Sequence, residues 1–164
     1  MGSAWCFSRI FIRTAPGRQR LNILAALDIF QNKIVQFENT LYINADSVCA
    51  LLIKISHECK GKPATLVMDN ARYQRCGKVI SMAKSLRIDL LFLPPYSPNL
   101  NLIERFWKFV KKECLYSKYH ENFEKFSTAI LDCINTAYDK HHDEMKSLLR
   151  PKFQFFDKSQ IISG

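Results

Sequence analysis

Two short, almost wholly apolar segments most constrain what this chain can fold into. Residues 64–68 (ATLVM) and 89–93 (DLLFL) each place four apolar side chains in five positions. The segment between them, 77–86, repeats its apolar residues at helical spacing. A short apolar strand is buried on both faces, and this is typical of a parallel sheet covered by helices. The sequence therefore predicts an α/β fold.

The rest of the chain extends this pattern at both ends. Strands are predicted first, joined by short turns as in an antiparallel meander. A helix follows, then the strand, helix and strand described above, and further helices complete the chain. We therefore expect a mixed sheet with helices on both faces. The predicted strands upstream are 5–13, 21–30 and 33–37, and the predicted helices outside the central segment are 44–61, 102–115, 123–138 and 141–150.

The charge of the chain points to an anionic partner. Lys and Arg number 24 against 15 Asp and Glu, so the formal net charge is +9. The first twenty residues contain no acid, and a balance this basic favours nucleic acid as the partner. The candidate phosphate contacts in this segment are Arg9, Arg13, Arg18 and Arg20.

Several classes of protein are excluded by what the sequence lacks. No apolar run approaches the roughly 20 residues that a membrane-spanning helix needs, so no membrane partner is expected. The six cysteines include no CxxC pair, and we expect reduced thiols packed in a core. Phosphate-binding loops and GxSxG motifs are also missing from the sequence.

Two acids occupy positions where catalytic groups gather in such sheets. Asp69 follows the apolar strand 64–68, and Glu104 lies in the first turn of the helix after strand 89–93. Ligands of open α/β sheets bind at the carboxyl ends of the strands. Carboxylate oxygens are the ligands that Mg²⁺ and Mn²⁺ prefer, so Asp69 and Glu104 are the candidate catalytic and metal-binding residues.

Basic residues surround both acids. On the predicted helix, Lys108 and Lys111 share a face with Glu104 at spacings of four and seven. A carboxylate beside a row of lysines suits a metal next to a phosphate backbone, although an exposed helix face with an ion pair is an alternative. The other candidate DNA contacts are Lys112 in that helix and Arg72, with Tyr73 and Arg75, after Asp69.

The segments LVMDNARYQ and LFLPPYSPNLNLIERFWKFVKKE carry a family resemblance. They resemble the catalytic core of the mariner superfamily of DDE transposases, in its bacterial insertion-sequence branch. Thirty-four residues lie between Asp69 and Glu104, which is close to the family's spacing. The resemblance implies an RNase H-like fold, DNA cleavage and strand transfer with two Mg²⁺ or Mn²⁺ ions, and a location in the bacterial cytoplasm. Asp69 then matches the second family carboxylate and Glu104 the third.

This sequence is expected to depart from the family pattern at its first catalytic residue. The family's first catalytic Asp lies on the first strand, upstream of a strand that begins with Trp, and here that Trp is Trp5. We therefore expect the first strand to be missing, together with its Asp and the family's helical DNA-binding region. Asp28 is the candidate substitute among the upstream acids. Such a chain is expected to be inactive alone.

The expected organisation is an incomplete catalytic domain over 1–140, followed by a helix and tail over 141–164. The expected partners are the DNA of transposon ends and target, with a homodimer or an upstream transposase half as further possibilities. Three alternatives remain open. They are a non-catalytic DNA-binding or regulatory fragment, a decayed product, and a different RNase H-like nuclease.

Overall fold

The computed structural model describes residues 3–14, 18–95, 102–116 and 118–150. It contains a five-stranded sheet and five α-helices within those ranges, in the order that the sequence predicts. Pro98 and the tail 151–164 lie outside the described residues.

The first three strands form the predicted antiparallel meander: β1 (Ser3–Arg13), β2 (Arg20–Asp28) and β3 (Lys33–Asn39). The tight turn from β2 to β3 is stabilised by Asp28, whose side chain accepts hydrogen bonds from two backbone N–H groups of the turn. Asn32 in the same turn adopts a φ of 56°, a left-handed conformation that Asn tolerates better than most residues.

Helices and strands then alternate. Helix α1 (Ala45–Glu58) begins at Asn44, whose side chain accepts from the Ser47 N–H in a capping box. Strand β4 (Ala64–Met68) and strand β5 (Ile88–Phe92) run parallel to each other, with α2 (Gly77–Ser85) as the crossover. A 3₁₀-helix, Arg72–Gln74, lies between β4 and α2.

The last three helices pack together on the other face of the sheet. They are α3 (Ile103–Cys114), α4 (Phe123–Lys140) and α5 (His142–Leu148). Met145 of α5 is fully buried in the same apolar cluster as α3 and α4. Arg105 of α3 donates to the backbone carbonyls of Leu148 and Arg150, at 3.4 and 3.2 Å.

Two separate apolar cores, one on each face of the sheet, hold the layers together. Side chains alternate along a strand, so β1 supplies Trp5 and Phe7 to the core under α1 and α2. Cys6, Ile10 and Ile12 face the core under α3, α4 and α5. Helices therefore cover both faces of the mixed sheet, as predicted.

The expectation that the first strand of the sheet is missing is wrong. The strand order is β3-β2-β1-β4-β5, and β1 has β2 on one side, antiparallel, and β4 on the other, parallel. The segment around Trp5 is therefore the central strand of the sheet and not the neighbour of a missing one. A strand can be predicted from its local residue pattern, but its neighbours in the sheet depend on contacts between distant segments of the chain.

Two further observations bear on the sequence-based expectations. None of the helices in the described ranges is long and apolar enough to cross a membrane. All six cysteines are free thiols, four of them buried and two partly buried.

The core under α3 offers a direct test of this packing. Phe106 is fully buried between α3 and the sheet, whereas Phe30 after β2 is 64% exposed. We expect Phe106→Ala to lower the free energy of unfolding in urea by about 3–5 kcal/mol, because it removes buried apolar surface and leaves a cavity. Phe30→Ala is the matched control and should change the free energy of unfolding by less than about 1 kcal/mol. Equal effects of the two substitutions would contradict the packing described.

Candidate active site

The site forms where β4 ends beside the middle of the central strand β1. Cys6 of β1 pairs with Val67 of β4 in parallel register. Two residues further along, the same register brings Ser8 next to Asp69. Ser8 is buried and lies on the face that α3 covers, whereas Asp69 is exposed just after the last residue of β4. The sheet thus places a hydroxyl and a carboxylate together at its carboxyl edge.

Helix α3 brings the second carboxylate to the same place. Its apolar side, which includes Ile103, Phe106 and Trp107, packs on the sheet and fixes the helix above β1. Glu104 in the first turn then lies over Ser8, and the Ser8 hydroxyl donates to Glu104 Oε1 at 2.6 Å. The two acids predicted from the sequence are therefore brought into one site, with Ser8 between α3 and β4.

The two carboxylates influence each other. Asp69 is exposed as a residue, but its carboxyl group is partly surrounded by neighbouring protein. The pKa of Asp69 is therefore raised above its ordinary value, first by this partial loss of water and second by the negative charge of Glu104. The positive charge of Arg9 and a hydrogen bond with Gln74 act in the opposite direction on this pKa. The net effect disfavours two ionised carboxylates here, and a bound cation would relieve this repulsion.

Gln74 and Arg9 complete the surroundings of Asp69. Gln74 is fully buried in the 3₁₀-helix, and its amide nitrogen donates to the Tyr73 hydroxyl at 3.3 Å. The Arg9 guanidinium lies over the Tyr73 ring, 5.5 Å from its centre, in a cation–π contact. The predicted DNA contact Arg9 therefore lies beside the acids.

Sequence reasoning missed Gln74 and Ser8. Both are polar residues in buried positions, and such residues need hydrogen-bond partners. Ser8 is also the one polar residue among the side chains of β1 that alternate onto the α3 face between Cys6 and Ile12. That break in the apolar pattern was the available signal.

The lysines of α3 extend away from the acids. Glu104 is partly buried, Lys111 is partly buried and Lys108 is exposed, on the shared helix face that the sequence predicts. Lys112 is exposed and lies 3.8 Å from Glu144 of α5 in an ion pair. Lys108 and Lys111 therefore continue a basic row from Glu104 along α3, whereas Lys112 has a partner in α5.

The remaining predicted arginines form a second basic region. Arg13, Arg18 and Arg20 line a groove of about 520 Å³ together with Phe123 of α4. The Arg20 guanidinium is partly committed, because it donates to the Leu41 carbonyl at 3.2 and 2.5 Å. Strand β1 leads from Ser8 to Arg13 over about 17 Å. The acids therefore lie near the middle of β1 and the groove lies at the end of the same strand.

Arg72 and its neighbours lie beside the acids. Arg72 is exposed at the start of the 3₁₀-helix that follows Asp69. Arg75 is held over the Phe92 ring, 5.1 Å from its centre. Arg72 is thus open to a ligand, whereas Arg75 has a partner within the fold.

Asp28 does not substitute for a catalytic acid. It pairs with Trp5 at the start of β1, about 10 Å along the strand from Ser8 and towards the opposite edge. It is 1% exposed, and its carboxylate accepts from the N–H groups of Phe30 and Gln31 at 2.9 and 3.0 Å. Its role is to close the β2–β3 turn.

The metal ligands that this site offers can be compared with those that one or two Mg²⁺ or Mn²⁺ ions need. Asp69 and Glu104 provide oxygen ligands for one hard divalent cation. A third acidic, His or Cys ligand is not found with them, and no cluster of three such residues occurs in the described parts of the chain. The residues therefore fit one weakly held ion and do not fit two bridged ions.

Comparison with protein families matches residues 8–127 to the DDE superfamily endonuclease family. This match covers about three quarters of the chain. The chain belongs to the DDE superfamily endonuclease family. The family match begins at Ser8 and includes Asp69, Glu104 and the lysines of α3. Comparison with curated protein sequences found no significant match.

Solved structures confirm the RNase H-like fold of this DDE domain. The catalytic domain of Mos1 transposase with raltegravir and Mg matches with a TM-score of 0.64 and 12% identity, over 94% of this chain and 85% of that one. A crystal structure of the catalytic domain of Mos1 mariner transposase matches with a TM-score of 0.60 and 13% identity, over 89% of this chain and 82% of that one. A chain of a simian T-cell lymphotropic virus intasome gives 0.61 and 14%, over 77% of this chain. The DDE chain spans 46% of that intasome chain.

The electrostatics of the site predict a cost in stability at neutral pH. A raised pKa means that the folded state binds a proton to Asp69 more tightly than the unfolded state does. The ionised form therefore disfavours folding, and stability falls as the pH rises above the ordinary value of 3.8. We expect Asp69→Asn to melt at a higher temperature than the native chain at pH 7.

The difference in melting temperature between Asp69→Asn and the native chain should shrink as the pH is lowered towards 4, because native Asp69 becomes protonated. Thermal melts followed by circular dichroism across this range make the measurement. Asp46→Asn, at an exposed acid that pairs with Lys78 on the other side of the sheet, is the control and should give no such gain. A lower melting temperature for Asp69→Asn at pH 7 would contradict the prediction.

Proposed function

We propose that this chain acts in DNA transposition, as the catalytic-fold domain of a mariner-superfamily transposase of the bacterial insertion-sequence branch. The observation that carries the proposal is the meeting of Asp69 and Glu104 at the carboxyl edge of an RNase H-like sheet. Membership of the DDE endonuclease family supports DNA as the substrate. The PPYSPNLNLIE segment before and within α3 supports the finer branch.

In this proposal the basic residues hold the DNA backbone across the acids. Arg9, Arg72 and Lys108 bind phosphates close to Asp69 and Glu104. Arg13 and Arg18 bind the backbone further along, with Phe123 offering an aromatic surface in the groove. Such contacts fix the position of the duplex but carry no sequence information. Lys111, Lys112 and Arg20 extend the same basic region.

Asp69 and Glu104 then present their carboxylates to the phosphodiester that lies between them. A divalent cation such as Mg²⁺ or Mn²⁺ would polarise the phosphate oxygens when bound there. Structures of the similar Mos1 domain include Mg or Mn, which supports the same choice of ion here. Two carboxylates are too few for two bridged ions, so we propose that this chain binds DNA but cleaves it poorly.

That incompleteness gives weight to the alternative of a non-catalytic, DNA-binding regulator of transposition. Transposition acts on both ends of the transposon, so the chain is expected to act with a second transposase subunit, either its own copy or another polypeptide. The proposed location is the bacterial cytoplasm.

DNA binding should be electrostatic and largely independent of sequence. If about four phosphates are neutralised, the affinity for a DNA duplex should fall about 100-fold between 50 and 200 mM salt. Fluorescence anisotropy with two duplexes of unrelated sequence measures this. A salt-insensitive affinity, or no binding at low salt, would refute the proposal.

The position of the DNA can be tested with matched double variants. Lys108→Ala with Lys111→Ala should weaken binding and reduce the slope of log affinity against log salt by about 2. Lys60→Ala with Lys62→Ala removes the same charge at the opposite edge of the sheet, before β4, and should change the slope far less. Equal slopes for the two double variants would show that DNA does not pass along α3.

A further inference from the structure

Ser8 is a buried polar residue whose position the packing of the fold does not explain. Its neighbours on the same face of β1 are Cys6, Ile10 and Ile12, all in the apolar core under α3. Ser8 itself is 2% exposed. A buried hydroxyl is costly unless it is hydrogen-bonded, and here its short bond goes to a carboxylate of the site.

Three side chains converge at this point of the sheet. The β1–β4 register, continued two residues past its last pair of Cys6 and Val67, places Ser8 beside Asp69. The Ser8 hydroxyl lies 2.6 Å from Glu104 Oε1. A ligand group at position 8 would therefore face the same space as the two carboxylates. Position 8 is on the central strand, so it is held rigidly from both sides of the sheet.

We propose that Ser8 occupies the third ligand position of a divalent-metal site formed with Asp69 and Glu104, and that its neutral hydroxyl leaves this site one carboxylate short. The hydroxyl donates a hydrogen bond to Glu104 Oε1, so it competes for an oxygen that a metal would use. It adds no negative charge to balance a cation. The site therefore holds a divalent ion weakly because of this one residue.

A carboxylate at position 8 would reverse both effects. It would accept a cation and not donate to Glu104, and the charge on the ligand set would rise from two to three. More ligand charge gives higher affinity for hard divalent ions. Without the ion, three adjacent carboxylates would repel one another and destabilise the fold.

The experiment measures metal binding directly, without DNA. Mn²⁺ binding is followed by electron paramagnetic resonance and by the rise in melting temperature with added MnCl₂. Ser8→Asp should bind Mn²⁺ about tenfold or more tightly than the native chain. It should melt at a lower temperature than the native chain without metal and gain more from added Mn²⁺.

Three variants separate a new metal ligand at position 8 from a change of shape or of overall charge. Ser8→Asn has nearly the same shape as Ser8→Asp without the charge and should not gain affinity for Mn²⁺. Ser81→Asp adds the same charge at an exposed position of α2 and should also gain nothing. Ser8→Asp combined with Glu104→Gln should lose the gain.

Two results would overturn the assignment. One is Mn²⁺ affinity of Ser8→Asp no higher than that of Ser8→Asn or Ser81→Asp. The other is a Ser8→Asp chain that fails to fold at any Mn²⁺ concentration while Ser8→Asn folds. A Ser8→Asp chain that folds only with Mn²⁺ would support it.

The relevance of position 8 to DNA cleavage rests on the proposed function. A DNA-nicking assay therefore tests the proposed function separately from the assignment of Ser8. Nicking of a DNA duplex by Ser8→Asp with Mn²⁺ would support both proposals. Tight Mn²⁺ binding without nicking would support the assignment of Ser8 and count against DNA cleavage as the function of the fold.

Discussion

The burial of β1 between two separate apolar cores is the constraint on which the other elements depend. Trp5 and Phe7 anchor the layer of α1 and α2, and Cys6 and Ile10 anchor the layer of α3 to α5. Each residue of β1 is thereby assigned to one layer by its position alone. Because Ser8 falls on the α3 side, its hydroxyl meets the first turn of α3, and its short hydrogen bond goes to Glu104 there.

The electrostatic consequence is a site that is slightly unfavourable to the fold. Burial and Glu104 both raise the pKa of Asp69, whereas Arg9 and Gln74 lower it. Such opposed effects are typical of places where charge is held ready for a ligand. Arg9 is shared between the Asp69 charge and the Tyr73 ring, so a phosphate arriving there competes with contacts that already exist.

Much of this could be predicted from the sequence, because it depends on local patterns. The apolar segments predicted the strands of the parallel half, and the helical spacing predicted α3. The position of Asp69 after a strand, and of Glu104 at the start of the helix after the next strand, predicted that the two acids would meet. What failed was the place of the strand around Trp5, since strand pairing is decided by contacts between distant segments. The same limit hid Ser8 and Gln74, whose importance depends on what lies opposite them. Asp28 could be considered as a catalytic acid only because its neighbours were unknown. The β1–β2 register pairs it with Trp5, away from Asp69 and Glu104.

The contacts of Arg105 connect Glu104 to a distant part of the chain. Arg105 is the next residue in α3, and its guanidinium donates to the carbonyls of Leu148, the last residue of α5, and of Arg150. The first turn of α3 is thus held by hydrogen bonds to the end of α5 on one side and by packing against β1 on the other. The position of Glu104 beside Asp69 therefore depends on contacts more than forty residues away in sequence as well as on the packing of α3 against β1.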